Sequence, residues 1–249
     1  MVNNPAIGKA CESSLHRALK YRYAEGGDTE KEVAGFIADG VNREGEIIEV
    51  QIGSFAPLKK KMTAFASLGR VTIIHPIIIT KYIEVFDNKG KKLYCRKSPR
   101  KGSEWDLFKN LVYAPELALV PGLGIELALV DVKEKRIQDG KGSWRRKGVS
   151  IVDRELAAWH SKICLDKPAH FRRFIPFTEK EEFSAAQLAK KAGISADLSY
   201  KTIYVLNKIN VIHKTGKKDR AWFYQPSIIS SASRLSSAKR SVTARRSSM

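Results

Sequence analysis

Two acidic residues on consecutive apolar runs constrain the fold of this chain more than any other feature. Asp39 ends one apolar run, residues 33–38, and Glu49 lies within the next run, residues 47–52. A short polar turn at residues 42–45 separates the two runs, so together they predict a β-hairpin. Each strand of that hairpin then carries one carboxylate.

The expected register of the hairpin brings the two carboxylates together. If Val41 pairs with Ile47, Asp39 lies directly across from Glu49, because side chains alternate between the two faces of a strand. Facing carboxylates repel each other and destabilise the pair unless a cation lies between them. A hard divalent ion, Mg²⁺ or Mn²⁺, suits such an oxygen-rich position, and the Val50 carbonyl is a candidate third ligand.

Both acidic residues also have ordinary interpretations. Asp39 and Gly40 could form a simple turn, because Asp-Gly is a frequent turn signal. Glu49 could be a solvated side chain on an exposed face of the sheet. The choice therefore depends on the elements that flank the hairpin.

The hairpin resembles the core motif of the PD-(D/E)XK (restriction-endonuclease-like) nuclease superfamily. In that superfamily an Asp and a later Glu-X-Lys hold Mg²⁺ and a hydrolytic water. Here Gln51 replaces the Lys, and the chain resembles the Glu-X-Gln variant of an uncharacterised bacterial family. The resemblance covers roughly residues 8–85. It implies an α/β fold with a mixed sheet flanked by helices, and Mg²⁺-dependent hydrolysis of phosphodiester bonds.

The segment before the hairpin fits this core. Residues 11–23 predict a helix, because Leu15 and Leu19 recur at helical spacing. Glu12 falls on the same stripe, and a helix-borne Glu near the metal is common in the superfamily. Glu12 could instead be a first-turn residue that complements the helix dipole. His16 lies one turn after Glu12 and could reach the same site.

The segment after the hairpin supplies a possible replacement for the missing Lys. Pro57 opens a second predicted helix, and residues 70–76 read as a buried strand. Gln51 can orient a water by hydrogen bonds but supplies no positive charge. Lys59 or Lys61 on the helix could provide that charge and stabilise the phosphate during hydrolysis. The run that contains them could equally be a solvated helix face.

The charge of the chain indicates a nucleic-acid partner. The 249 residues contain 45 Lys and Arg against 26 Asp and Glu, a formal net charge of +19. Such an excess attracts phosphate backbones of either polymer, and DNA is expected over RNA because of the winged helix predicted in the C-terminal part. A homodimer is possible, and no membrane partner is expected.

Cysteine usage and apolar stretches point to the cytoplasm. Cys11, Cys95 and Cys164 are far apart and lack metal-ligand spacing, so disulfides and a zinc site are not expected. The first residues lack the features of a signal peptide. The long apolar stretches are interrupted by Pro, so no transmembrane helix is predicted.

The middle of the chain is predicted to be β-rich. Its expected elements are a hairpin over 81–96, a short helix over 105–112, a strand over 125–133 and a helix over 152–163. A glycine-rich basic insertion, 135–148, carries candidates for nucleic-acid contact: Trp144, Arg145, Arg146 and Lys147. Arg suits phosphate and Trp stacks on bases, although the insertion could also be a flexible solvated loop.

The last folded part resembles a winged helix-turn-helix domain over about residues 176–226. Ser184 and Ser195 are plausible N-caps for two helices, with Gly193 in the turn between them. Four residues of the second helix could face a groove of DNA: Ser199, Tyr200, Lys201 and Tyr204. The predicted wing carries Lys217, Lys218 and Arg220 at its tip. The domain could alternatively serve protein contacts.

These observations predict a nuclease-like domain over 1–167, a winged helix-turn-helix domain over 168–226 and a disordered basic tail over 227–249. Three classes of function stay open. The first is a metal-dependent DNA endonuclease docked by the winged helix. The second is a catalytically inactive DNA-binding or regulatory protein, for which Gln51 is the argument. The third is an RNA-directed nuclease, since basic charge does not distinguish the two polymers.

Overall fold

A computed structural model describes residues 12–227. Cys11 and the predicted tail beyond Ser227 lie outside these residues. The α-helices are α1 (Ser14–Ala24), α2 (Lys59–Ala66), α3 (Phe108–Leu111), α4 (Ala185–Ala192) and α5 (Ala196–Lys208). The strands are β1 (Asp28–Val33), β2 (Phe36–Val41), β3 (Ile47–Val50), β4 (Val71–Phe86), β5 (Lys92–Lys97), β6 (Leu123–Gln138), β7 (Val149–Leu165), β8 (Phe183–Ser184), β9 (Ile212–Lys218) and β10 (Ala221–Pro226).

The larger sheet is mixed and has helices on both faces, which confirms the α/β class. Its strands run in the order β1-β2-β3-β4-β6-β7, and β5 pairs with the far end of β4. The pairs β3–β4 and β4–β6 are parallel, whereas the others are antiparallel. A smaller sheet has the order β8-β10-β9.

Three predicted elements differ from the observed ones. The apolar run 33–38 is broken at Ala34 and Gly35, which both have positive φ and turn the chain between β1 and β2. The buried strand predicted over 70–76 continues to Phe86 as one long strand. The helix predicted over 152–163 is wrong, because this segment lies in β7 and pairs with β6 along its length.

The physical reason for the last error is an ambiguous pattern. Val152, Leu156 and Trp159 recur at a spacing that is also typical of a helix. In the fold, Leu156 and Trp159 pack against the α1 side of the sheet, while Val152 is exposed. The local preference for a helix in this segment is weak, so pairing with β6 along the segment outweighs it.

Two apolar clusters hold the layers together. On one face, Leu15 and Leu19 of α1 pack on Val50 and Ile74. On the other face, Met62 and Phe65 of α2 belong to a larger cluster. That cluster continues without interruption into the C-terminal segment through Phe108, Phe171, Phe174, Phe183, Leu188, Leu198 and Val205. The regions predicted as 1–167 and 168–226 therefore share one core.

Local capping signals fix the helix pair near the C-terminus. Ser184 and Gln187 form a capping box at the start of α4, and Gly193 ends it in the left-handed conformation. Ser195 caps α5 through a bond from the backbone N–H of Leu198. A β-hairpin, β9–β10, follows the two helices. No helix within residues 12–227 is long and apolar enough to cross a membrane.

Candidate active site

The β2–β3 hairpin places the two predicted carboxylates next to each other. Val41 pairs with Ile47 and Gly40 pairs with Ile48, so the expected register is confirmed. Asp39 Oδ2 accepts a hydrogen bond of 2.7 Å from the backbone N–H of Val50. This bond ties the interior of β2 to the last residue of β3.

Glu49 is buried and lacks full neutralisation. Its side chain is 7% exposed, and the oxygen Oε2 has no hydrogen-bond partner within residues 12–227. Burial and the nearby charge of Asp39 together raise the pKa of Glu49 to about 7, against the opposing effect of Lys61. A buried carboxylate with an unpartnered oxygen is costly, so this position favours an additional cation.

Helix α2 delivers one of the two predicted lysines to this pair. Lys61 Nζ lies 2.6 Å from Glu49 Oε1, and its side chain is 19% exposed. Lys59 instead pairs with Glu116 at 2.5 Å on the surface. The structure therefore brings Lys61 to the carboxylates and leaves Lys59 outside the site.

Helix α1 contributes a cation from the opposite side. His16 Nε2 lies 3.0 Å from the Val50 carbonyl oxygen and 3.2 Å from Asp39 Oδ2. Its Nδ1 lies 2.5 Å from Glu12 Oε1. Burial alone would lower the pKa of His16, but the carboxylates of Asp39 and Glu12 outweigh burial and raise it to about 9.

The pKa of Asp39 is lowered, whereas the pKa of His16 is raised. Burial alone would raise the pKa of the Asp39 carboxyl, but His16 and the Val50 N–H stabilise its charged form and lower the pKa. Asp39 is therefore held ionised, while its neighbour Glu49 gains a proton as the pH falls through about 7. Two adjacent carboxyl groups with separated pKa values are typical of functional sites.

Glu12 reaches this network from just before α1, since the helix begins at Ser14 and is capped by Ser13. The apolar stripe predicts that Glu12 is a core-facing residue of the helix, but Glu12 is exposed and lies outside α1. Glu12 Oε1 lies 2.9 Å from Lys20 Nζ, and Lys20 is only 3% exposed. No local pattern points to Lys20 as a site residue, because a buried lysine is identified only by the partners around it.

Gln51 lies just beyond β3 and turns toward the following loop. Its side-chain Nε2 donates to the Ser54 carbonyl at 2.5 Å. Its backbone oxygen lies 2.5 Å from Nδ1 of the buried His75. His75 is thus a satisfied core histidine, and burial lowers its pKa. No described contact joins the Gln51 side chain to either carboxylate, so its role with water stays a prediction.

Residues 139–148 of the basic insertion 135–148 form the tip of the long β6–β7 hairpin, and residues 135–138 belong to β6. Trp144 there is 82% exposed, and the Arg145 guanidinium lies 5.6 Å from its ring centroid. Arg146 Nε donates to the Val149 carbonyl at 3.1 Å, and Lys147 has positive φ in the turn. The tip therefore presents an aromatic ring and basic side chains to solvent.

Some of the α5 residues predicted to face a groove are exposed and others are not. Tyr200 and Tyr204 are exposed, but Ser199 is fully buried and donates to the Ala185 carbonyl at 2.6 Å, so its prediction is wrong. The helical phase turns Ser199 toward α4. Lys201 pairs with Asp197 at 2.7 Å on the surface.

The β9–β10 hairpin has the expected basic tip. Lys217 and Arg220 are exposed, whereas Lys218 is held by Glu182 at 2.5 Å. The strand β9 extends to Lys218, so the turn itself consists of Asp219 and Arg220, both with positive φ. Lys217 and Arg220 are the more available of the three predicted contacts.

The metal prediction rests on few ligands. Within residues 12–227, no cluster of three or more His, Cys, Asp and Glu side chains is arranged to hold a metal. The two carboxylates of Asp39 and Glu49 and the Val50 carbonyl are the oxygen donors available. The unpartnered, buried Glu49 oxygen and the placement of a cationic His16 beside Asp39 and Val50 both fit a position that attracts positive charge.

Comparison with known proteins gives a family without an assigned activity. A family model described as "Domain of unknown function (DUF8091)" matches residues 13–166. An uncharacterised protein of Treponema pallidum (strain Nichols) is 31% identical over 151 residues, which cover 60% of each chain. The chain thus spans about 60% of the length of that relative. No solved structure matches.

Proposed function

The chain belongs to the DUF8091 family, and we propose that it is a metal-dependent endonuclease that hydrolyses phosphodiester bonds of DNA. The observation that carries this proposal is the convergence of Asp39, Glu49 and Lys61 at the end of β3. Two carboxylates and a lysine at one point match the chemistry of the PD-(D/E)XK motif. Here the lysine comes from α2 instead of the strand.

The proposal assigns the finer fold as well. The N-terminal unit would be restriction-endonuclease-like, with β2 and β3 carrying the acidic residues between α1 and α2. The segment from α4 to β10 would be a winged helix-turn-helix, with α5 as the recognition helix and β9–β10 as the wing. Both assignments are consistent with the order of the elements and with the caps of the two helices.

Asp39, Glu49 and the Val50 carbonyl would hold Mg²⁺ or Mn²⁺, with Glu12 acting through water. When bound, such an ion polarises a scissile phosphate and lowers the pKa of a bound water. Lys61 would stabilise negative charge on the phosphate, because its ammonium already lies beside Glu49. His16 would orient the Asp39 carboxylate, to which it is bound from the α1 side.

The test is a cleavage assay with the full chain, labelled duplex DNA, single-stranded DNA and RNA in Mg²⁺ or Mn²⁺. We expect cleavage of DNA that needs the divalent ion and is lost in Asp39→Ala. Cleavage of RNA alone would identify RNA, and not DNA, as the substrate. If the chain binds DNA but cleaves no polymer, the inactive DNA-binding alternative is favoured. The presence of Gln51 where the motif has Lys is the argument for that alternative.

The hairpin β9–β10 is expected to supply docking affinity through phosphate contacts. Replacing Lys217 and Arg220 with Gln should weaken binding by a similar factor for unrelated DNA sequences, because phosphate contacts carry no sequence information. The double variant should also reduce the salt slope by roughly two units, one for each lost contact. Fluorescence anisotropy across a salt series measures both quantities.

Lys180 provides the matched control for this variant, since it is exposed and lies outside the helices and the hairpin. Lys180→Gln should leave the salt slope nearly unchanged. If Lys217→Gln/Arg220→Gln binds DNA with wild-type affinity and slope, the hairpin is a protein-contact element. A shorter chain is not suited to this test, because truncation near residue 175 would cut through the shared core.

A further inference from the structure

The larger sheet has a gap along one edge of β4. Strand β3 pairs with β4 as far as Val50 and Ile74, and β5 begins to pair only at Tyr82. Between these points the edge is covered by a loop, which donates from Ser98 N–H to the Lys81 carbonyl at 2.7 Å and from Gly102 N–H to the Ile78 carbonyl at 2.9 Å. The gap opens into a cavity of about 270 Å³.

The charged residues that line the cavity in this gap are mainly positive. Its basic side chains are Lys81, Arg100, Lys109 and Arg154. Asp106 is the acidic side chain in the lining of the cavity. These cations come from β4, from the loop after β5, from α3 and from β7, so they converge from separate parts of the chain.

A single buried carboxylate holds two of these cations in place. Glu134 is fully buried and lies 2.9 Å from Arg154 Nε and 3.4 Å from Lys81 Nζ. It also binds Arg136 at 2.5 Å. Burial alone would raise the pKa of Glu134, but Arg154 and Arg136 outweigh it and lower the pKa to about 2. Three cations therefore share one ionised carboxylate, which leaves an excess of positive charge.

Of the remaining two cations, Arg100 is unpaired within residues 12–227, and Lys109 would have to exchange its carboxylate partner for a phosphate. Lys109 pairs with Asp106 at the surface, where its side chain is 36% exposed. Arg100 is exposed and makes no ion pair with any residue in the range 12–227. An unpaired guanidinium beside a cavity suits a phosphate. The planar guanidinium can donate two parallel hydrogen bonds to the phosphate oxygens.

The cavity begins where the strand of the candidate active site ends. Ile52, three residues after Glu49, lies in its lining together with His75 and Asn110. His75 connects the two regions, because its Nδ1 lies 2.5 Å from the Gln51 oxygen and its Nε2 lies 3.3 Å from Asn110 Nδ2. A nucleic-acid strand at Glu49 would thus have a basic cavity directly beside it.

We propose that this gap in the sheet is an anion subsite that binds a phosphate group of the nucleic-acid strand next to the one held at Asp39 and Glu49. The position of the scissile phosphate rests on the proposed function, whereas phosphate binding in the gap does not. Arg100 and Lys109 are the contacting residues, and Glu134 positions Lys81 and Arg154 behind them. The subsite fixes where along the strand the phosphate at Glu49 lies.

The test measures binding without catalysis. A fluorescein-labelled single-stranded DNA oligonucleotide is titrated with the full chain in EDTA, and anisotropy reports the dissociation constant. Arg100→Gln/Lys109→Gln should weaken binding by about tenfold, because it removes charge-assisted hydrogen bonds to the phosphate at a site that solvent still reaches. Lys101→Gln is the matched control, since Lys101 is exposed in the same loop but does not line the cavity.

Two results would overturn the proposal. One is wild-type affinity in the double variant, with thermal unfolding as the check that it is folded. The other is an equal loss in Lys101→Gln, which would show a general effect of charge. A wild-type chain that cleaves nothing, yet depends on Arg100 and Lys109 for binding, would remove the nuclease function and leave the subsite standing.

The phosphate can be an internal phosphodiester or a terminal monophosphate, and a second arm separates the two. Oligonucleotides with and without a 5′-phosphate or a 3′-phosphate are compared in the same assay. Equal affinity for all of them, with the same dependence on Arg100, identifies an internal phosphodiester. A preference for one phosphorylated end that is lost in Arg100→Gln identifies a terminal phosphate.

Discussion

Replacing Glu49 with Gln is expected to abolish binding of Mg²⁺ and Mn²⁺ while the fold stays intact. Glu49 on β3 is one of the two carboxylates of the candidate site, and an amide cannot replace its charge. Mn²⁺ affinity should fall by more than about 100-fold, since even outer partners of metal ligands change affinity by 10–100-fold. Titration calorimetry with Mn²⁺ on the wild type, Glu49→Gln and Asp39→Asn measures the effect.

The thermal stability of Glu49→Gln shows whether lost metal binding comes from the missing carboxylate or from unfolding of the chain. The pKa of Glu49 is raised to about 7 in the folded chain, so the folded state holds this proton more tightly than the unfolded state. The resulting stabilisation is present below the ordinary pKa of Glu and is lost as pH rises through about 7. At pH 8 in EDTA, the neutral Gln should therefore unfold at a temperature no lower than the wild type.

A surface carboxylate supplies the control for these titrations. Glu116 pairs with Lys59 and its side chain is 52% exposed, so Glu116→Gln should bind Mn²⁺ like the wild type. Equal Mn²⁺ binding by the wild type and Glu49→Gln, both folded, would remove the metal site at Asp39 and Glu49. Weak binding that is unchanged in every variant would have the same meaning.

Replacing Lys61 with Met is expected to lower turnover by about 100- to 1,000-fold, the effect of losing one preorganised charge-stabilising donor. Lys61 lies beside Glu49, whereas Lys59 binds Glu116 on the surface. Lys59→Met should therefore cleave normally, which makes it a matched control from the same helix. Single-turnover cleavage at saturating chain concentration isolates the chemical step from binding.

The affinities of the Lys61 variant distinguish its role further. DNA affinity in EDTA should be unchanged, because Lys61 is only partly exposed and is paired with Glu49, whereas many other cations are exposed at the surface. Mn²⁺ affinity should not fall, since removing Lys61 frees the Glu49 oxygen that it now occupies. Normal turnover in Lys61→Met, or an equal loss in Lys59→Met, would show that Lys61 does not replace the missing strand lysine.

The local sequence by itself determined the hairpin, its register and the helix caps. The Val41–Ile47 pairing follows from the length of the polar turn, and it brings Asp39 opposite Glu49. Ser184, Gly193 and Ser195 bound their helices through side chains that bind the nearest backbone groups. Such signals act over a few residues, so they can be read without the rest of the chain.

The tertiary structure alone decided which residues meet at the site. Lys59 and Lys61 are equivalent in sequence, and only the rotation of α2 against the sheet directs Lys61 to Glu49. The contact of His16 with Asp39 depends on how α1 packs across β3. The strand at 152–163 and the basic gap beside β4 depend on pairing between distant segments, which no local pattern encodes. Long-range packing outweighs local preference wherever that preference is weak.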